Sequence, residues 1–240
     1  MSHEGRPWTV VCDFDGTISS VDGTDLILEK LAHPSWLSVE ADWKDGLIGS
    51  RDCLSQQVAL LDATTEQICK LADKISIDPY FKGFVAYCKT VGARVVIVSD
   101  GLDLVIGRIL AREGLSHLPV FSNAIVAAGP KKHRMLSPFA DADCCTGAGT
   151  CKCAVISDLR DATDDGPVLF VGDGRSDFCA AARSADAVAA KSSLLTHLLA
   201  INRPCIEYST FNDVKLVLAD LIGHNTRVRV AGNELNYERN

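Results

Sequence analysis

Several things are missing from this chain, and each absence removes a class of function. No run of about 18 uncharged apolar residues occurs, the length a helix needs to cross a bilayer, so no membrane span is expected. No Lys/Arg-rich stretch and no basic–aromatic interleaving is present, and the formal net charge is −7. Nucleic acid, which proteins hold through clustered cations, is therefore not expected as a main partner. No secretion signal is visible: residues 1–8 are polar, and the apolar run that follows is broken at Asp13. The ten cysteines accordingly read as reduced thiols of a cytoplasmic protein. Four of them, Cys144, Cys145, Cys151 and Cys153, are spaced C-C-x5-C-x-C and lack the C-x2-C pairs of structural zinc sites. A metal site or a redox-sensitive loop stands as the alternative to plain thiols there. The histidines show no ligand spacing, and there is no internal repeat or low-complexity linker.

What is present suits one ample domain or a core carrying an insertion: 240 residues, 47% hydrophobic and 23% charged. Three short apolar runs each stop at a polar, Gly-containing cluster. Residues 8–12 lead to Asp13-Phe14-Asp15-Gly16-Thr17, residues 94–98 to Ser99-Asp100-Gly101, and residues 167–171 to Gly172-Asp173-Gly174. Helix-like segments follow the second and third clusters. Strand and helix patterns alternate from about residue 78 to the end, which predicts an α/β fold with a parallel sheet covered on both faces. The clusters lie at the carboxyl ends of their strands, where open α/β sheets carry their sites.

Residues 19–77 follow a different pattern. Segments 25–32, 50–61 and 65–75 read as amphipathic helices, with Ser50 and Thr64 or Thr65 as N-caps, and no strand run interrupts them. The expected organisation is a Rossmann-like core of residues 1–18 and 78–240, with a helical cap of residues 19–77 inserted after the first strand. Trp36 and Trp43 read as packing within that cap, or as pocket lining. Residues 129–150 are expected to form a loop or irregular hairpin, and the polar tail after His224 to be partly mobile.

The chemistry lies in the clusters. Asp13 and Asp15 are two apart in extended chain, so both carboxyls face one cleft. One can stay ionised, hold a hard cation and attack phosphorus, while the other keeps a proton for the leaving oxygen. A lone D-x-D-G also occurs in turns and calcium loops. Ser99, with backbone N–H groups at a helix start, can cradle a phosphate or simply cap the helix. Asp173, flanked by glycines, can bind metal or mark a surface turn. Lys152, before a helix-like stretch, can oppose the charge of a phosphoryl group, although Lys131 and Lys132 compete with it.

With the four clusters in this order, the chain resembles the haloacid dehalogenase superfamily: D-F-D-G-T at 13–17, V-S-D-G at 98–101, Lys152, and G-D-G-R-S-D at 172–177. That resemblance implies Asp13 as nucleophile and Asp15 as general acid and then base. It implies Thr17, Ser99, Asp100, Gly101 and Lys152 around the phosphoryl group. Mg²⁺ would be held by the Asp13 carboxylate, the Asp15 carbonyl and Asp173, with Asp177 as ligand or beside the ligands. The substrate would be a small phosphate ester. The cap resembles that of phosphoserine phosphatases. Almost the whole chain, from about residue 10 to 217, is similar to the phosphatases related to the methionine-salvage enzyme for 2-hydroxy-3-keto-5-methylthiopentenyl-1-phosphate. The stretches 45–51, 149–153 and 174–179 carry this narrower likeness.

One departure bears on substrate. Where phosphoserine phosphatases place an arginine in the second cap helix, this chain aligns Ser55, and Arg51 stands one turn earlier. Asp22 corresponds to the acid after the first motif, and Arg175 reads as either a solvated charge or a substrate contact. A phospholigand-binding domain without catalysis, or transfer to an acceptor other than water, are the rival readings.

Overall fold

The computed structural model describes residues 6–162 and 166–223, with the backbone of two further short strands, Arg229–Val230 and Asn233–Glu234. Apart from those four residues, the tail after His224, expected to be partly mobile, falls outside the described residues.

The first strand, β1 (Thr9–Cys12), is completely buried, as its run of apolar, mostly β-branched residues requires. It pairs in parallel with β2 (Arg94–Leu102) on one side and β5 (Val168–Gly172) on the other. Beyond β2 come β3 (Val120–Ala127) and β4 (His133–Leu136), the latter antiparallel. Beyond β5 come β6 (Ala187–Ala190) and β7 (Ile206–Glu207). The seven-stranded order is β4-β3-β2-β1-β5-β6-β7. The order reverses about β1, so the crevice outside its carboxyl end is the topological switch point.

Register then does the positioning. Cys12 stands level with Ile97 of β2 and Val171 of β5. The residues just past those three positions are the predicted clusters, so Asp13, Ser99 and Asp173 emerge on one edge of the sheet.

Between β1 and the rest of the sheet lie α1 (Gly23–Leu31), α2 (Trp36–Lys44), α3 (Ser50–Ala59) and α4 (Thr65–Ala72), with no named strand among them. The α4 start is fixed by a capping box in which Thr64 and Gln67 exchange side-chain and backbone hydrogen bonds. These helices share one hydrophobic cluster with the sheet. Ile27, Leu28, Val58, Leu61 and Ile68 belong to the same cluster as Phe14, Ile18, Val105 and Ile109. After them come α5 (Phe81–Thr90), α6 (Asp103–Arg112), α7 (Lys152–Ala162), α8 (Phe178–Arg183), α9 (Ser192–Ala200) and α10 (Phe211–Gly223). No described helix is long and apolar enough to cross a membrane.

Two elements depart from the sequence reading. Helix α2 has no buried residue, so it offers no apolar stripe for periodicity to detect. Strand β3 is mostly half-buried and follows no strict alternation. The segment 129–150, expected as a loop or irregular hairpin, is part hairpin arm, through β4 against β3, and part irregular chain closed by a bridge between Phe139 and Thr150.

The core face under α5 and α10 is aromatic. Phe211 is fully buried, with ring centroids 4.7 Å from Phe81 and 5.3 Å from Phe84. Truncation there removes most of that contact and leaves a cavity. Phe211→Ala is expected to cost about 3–5 kcal/mol in urea unfolding; a loss under about 1 kcal/mol would mean the cluster is not packed as described.

Candidate active site

The loop after β1 turns sharply at Gly16, whose φ of +71° an L side chain rarely adopts. A Cβ there would meet Asp173 Oδ2 at 2.5 Å, so glycine also admits the third cluster to the first. Thr17 Oγ1 donates to Asp173 Oδ1 at 2.7 Å. That threonine, expected at the phosphate, therefore holds an acid in place.

Lys152 opens α7 and is 3% exposed. Its Nζ lies 2.9 Å from Asp13 Oδ1 and 2.5 Å from Asp177 Oδ1, and it donates to Ser176 Oγ at 3.1 Å. Asp177 is fully buried, and its other oxygen accepts from the backbone N–H of Asp173 and of Gly174, both at 3.0 Å. Both Asp177 oxygens are thus engaged, which suits it to fixing the lysine and the third loop. The rival lysines are elsewhere: Lys131 and Lys132 are exposed, and Lys132 reaches toward the Leu61 carbonyl.

Burial opposes the Lys152 charge, yet the carboxylates of Asp13 and Asp177 outweigh it and hold the ammonium pKa above its ordinary value. For Asp13, burial and then the Asp177 charge raise the pKa well above the usual range, against the pull of Lys152. Burial likewise raises Asp173. Oxygens of Asp13, Asp173 and Asp177 all lie within 4.8 Å of one another. Three carboxylates against one ammonium leave two negative charges when all are ionised. A hard divalent cation would offset them, and oxygen donors are what such an ion takes. The residues fit a cation of that kind.

Asp15 is held differently. Its Oδ1 accepts from Gly23 N–H at 2.8 Å, at the start of α1. Burial and then the negative charge of Asp22 push its pKa up to about 8. The second cluster lies opposite. Ser99 is 1% exposed, and its Oγ accepts from Gly101 N–H at 3.1 Å, which leaves the hydroxyl proton available to a ligand. A Cβ on Gly101 would meet Asp15 Oδ2 at 2.5 Å.

Asp100 lines the cleft, but both oxygens of its carboxylate are already engaged. Ser50 Oγ donates to Oδ2 at 2.6 Å, and Asn123 Nδ2 and Thr150 N–H donate to Oδ1 at 2.9 and 3.0 Å. Any phosphate contact from Asp100 falls to its backbone. Ser50, expected as a cap, instead ties α3 to this acid, and Gly49 occupies the cap position. Asn123 is fully buried and was not anticipated; it lies on β3, where the sequence carried no strong strand signal.

A cavity of about 280 Å³ lies between these loops and the helices. Asp13, Asp15, Ser99, Gly101, Asp173 and Arg175 line it from the sheet side; Asp22, Glu40, Trp43, Leu54 and Gln57 line it from the helices. The Arg175 guanidinium sits 5.0 Å from the Trp43 ring, a cation–π contact across the cleft. Asp22 caps α1 by accepting from Asp25 N–H. Arg51 lies outside the cavity: its side chain is 51% exposed and pairs with neighbouring Asp52 at 3.5 Å. Trp36 is not among the lining residues either. Sequence reasoning missed Glu40 and Gln57, which bond to each other at 3.0 Å; nothing in their spacing marks them.

A family model described as "Putative Phosphatase" matches residues 8–203. The chain belongs to that family. It is a phosphatase. A 2-hydroxy-3-keto-5-methylthiopentenyl-1-phosphate phosphatase of Brevibacillus brevis is 31% identical over 86% of this chain and 93% of its own length. One of the same name from Geobacillus kaustophilus is 32% identical over 85% and 91%. Among solved structures, a phospho-aspartyl intermediate analogue of phosphoserine phosphatase superposes with a TM-score of 0.68 at 17% identity, over 88% of this chain and 99% of that one. That last likeness is one of fold.

The packing of Gly101 against Asp15 is directly testable. Gly101→Ala forces the carboxylate aside, and a displacement of about 1 Å in a catalytic group can cost about 100-fold. A loss of that order in kcat, with an unchanged circular dichroism spectrum, is expected; full activity would mean that Asp15 does not need this position.

Proposed function

We propose that this phosphatase is an Mg²⁺-dependent phosphomonoester hydrolase that works through an aspartyl-phosphate on Asp13, with residues 19–77 acting as a cap over a core of residues 1–18 and 78–240. The observation that carries the reading is the held Asp13 carboxylate. One oxygen accepts from both Lys152 and the Phe14 N–H, the latter at 2.7 Å, in a cavity that Asp15, Ser99 and Asp173 also line.

In this reading the other Asp13 oxygen attacks phosphorus in line. Lys152, the Ser99 hydroxyl and the backbone N–H of Asp100 take up the charge on the phosphoryl oxygens. Asp15, with a pKa of about 8, carries a proton at pH 7. It gives that proton to the leaving oxygen, so the alcohol departs neutral and the phosphoryl group remains on Asp13. Asp15, now ionised, takes a proton from water, whose oxygen attacks the same phosphorus; phosphate leaves and Asp13 is restored. A divalent cation held by Asp13, Asp173 and the Asp15 carbonyl, beside Asp177, would brace a phosphoryl oxygen and neutralise developing charge. Thr17 acts by positioning Asp173.

The substrate is a small phosphate ester. The names of the relatives make 2-hydroxy-3-keto-5-methylthiopentenyl-1-phosphate the first ester to try. Trp43, Cys53 and Leu54 give the cap side of the cavity an apolar surface that suits an alkyl or thioether chain. Phosphoserine fits less well, because Arg51 stays outside the cavity and no arginine of α3 lines it to meet a substrate carboxylate.

Hydrolysis of a chromogenic phosphate ester with Mg²⁺ and with EDTA tests the reaction. Activity is expected to need the metal, and Asp13→Asn to lower kcat by about 10³-fold or more. Undiminished turnover in Asp13→Asn would overturn the mechanism. Mg²⁺ is also expected to raise the Tm of the wild type but not of Asp173→Asn; an equal rise in both would place the cation elsewhere. In a panel of phosphorylated metabolites ranked by kcat/KM, small keto, sugar-like or thioether phosphates are expected above phosphoserine and above phosphoproteins.

A further inference from the structure

A second cavity, of about 210 Å³, lies behind Lys152 and Ser176. Cys144, Cys145, Cys151, Cys153 and Cys179 all line it. The first four come from the irregular chain before α7 and from its first turn; Cys179 comes from the start of α8, two residues past Asp177. Phosphate chemistry uses none of these thiols.

Their sulfurs are not spaced alike. Cys145 Sγ lies 2.6 Å from Cys179 Sγ, about half an ångström beyond a bonded pair. Cys153 also contacts Cys179, and Cys144 contacts Cys151. A thiolate metal site would draw at least three sulfurs around one point. Among the described residues, only Asp13, Asp173 and Asp177 gather in that way. The thiols form an open chain, Cys145–Cys179–Cys153, and a separate Cys144–Cys151 contact, and the Cys145–Cys179 approach is 2.6 Å. Cys145 is exposed, so a soluble oxidant reaches it without unfolding.

We propose that Cys145 and Cys179 are a reversible dithiol–disulfide pair, a modification site that ties the loop carrying the third acidic cluster to the chain beneath α3. With a hydroperoxide as oxidant, one thiol attacks the peroxide oxygen, giving a sulfenic acid and releasing the alcohol, or water from hydrogen peroxide. The second sulfur attacks the sulfenic sulfur, the S–S bond forms and water leaves. The two thiols lose two electrons and two protons, and the peroxide is reduced. A dithiol reductant reverses the step by exchange.

The bond would span 34 residues of chain. Lys152, Asp173 and Asp177 lie inside that loop. Cys145 is two residues before Gly147, whose carbonyl accepts from Arg51 N–H at 2.9 Å at the start of α3. The tether therefore joins the acidic loop to the chain on which the helical insertion rests. It needs little movement, so oxidation leaves the phosphate site assembled and raises resistance to unfolding by limiting the unfolded chain.

The test uses the full-length reduced protein and limiting hydrogen peroxide. Free thiols are then alkylated, the protein is digested, and cross-linked peptides are mapped by fragment-ion mass spectrometry. A Cys145–Cys179 link is expected first and is expected to vanish with dithiothreitol. The melting temperature is expected to rise by several degrees in oxidised wild type and to stay constant in Cys145→Ser, which keeps its basal phosphatase activity. Links that form first at Cys153 or between Cys144 and Cys151 would overturn the proposal. So would both thiols remaining fully alkylatable after a dose that oxidises glutathione, or an unchanged Tm in the bridged protein. None of these readouts depends on which ester the enzyme hydrolyses.

Discussion

One buried ammonium group organises the acidic cluster at the edge of this sheet. Lys152 is almost without solvent contact and lies within reach of two carboxylates, Asp13 and Asp177. A charge in that position is tolerable only while its partners remain; removing one partner from a buried pair typically costs about 3–5 kcal/mol. The lysine therefore fixes two loops that are far apart in sequence, the one after β1 and the one after β5. It also leaves the acidic cluster short of positive charge, which is the electrostatic reason a divalent cation suits the site.

The sheet makes that arrangement possible without strain. A central β1 with β2 and β5 in matching register brings three strand ends level, and the start of α7 supplies the fourth group. Glycines finish the assembly where side chains would collide: Gly16 against Asp173, Gly101 against Asp15, and Gly172 against Asp177. On the other side of the cleft, Ser50 bonds to Asp100 and Trp43 packs under Arg175, so the helices meet the sheet through the motif residues themselves. Any motion of the helical insertion is thereby coupled to the second and third clusters.

Much of this was legible in the sequence because the signals are local. Buried parallel strands are short apolar runs, and each ended at a polar cluster that marked its own importance. The α/β class, the parallel sheet and the helical insertion after β1 followed from that punctuation. Less local features were harder to read. Helix α2 buries no residue, and β3 is mostly half-buried with no alternation, so neither carries the periodicity that betrays an element. The duties of Thr17, Ser50 and Asp100 depend on partners up to 156 residues away in the chain, which no spacing rule reveals. Asn123 is a buried polar group whose purpose appears only once β3 lies beside β2. The cysteines illustrate the same limit: four were conspicuous in sequence, but the partner of Cys145 is Cys179, from another loop.

The proposed mechanism makes Asp13, held by Lys152, the atom donor to phosphorus. Acid-quenching the enzyme during steady turnover and mapping the phosphoryl group by mass spectrometry addresses this most directly. A phosphoryl group on the peptide containing Asp13, formed and lost at rates that support kcat, is the expected result. Turnover with no covalent adduct, or with the phosphoryl group on another residue, would contradict it.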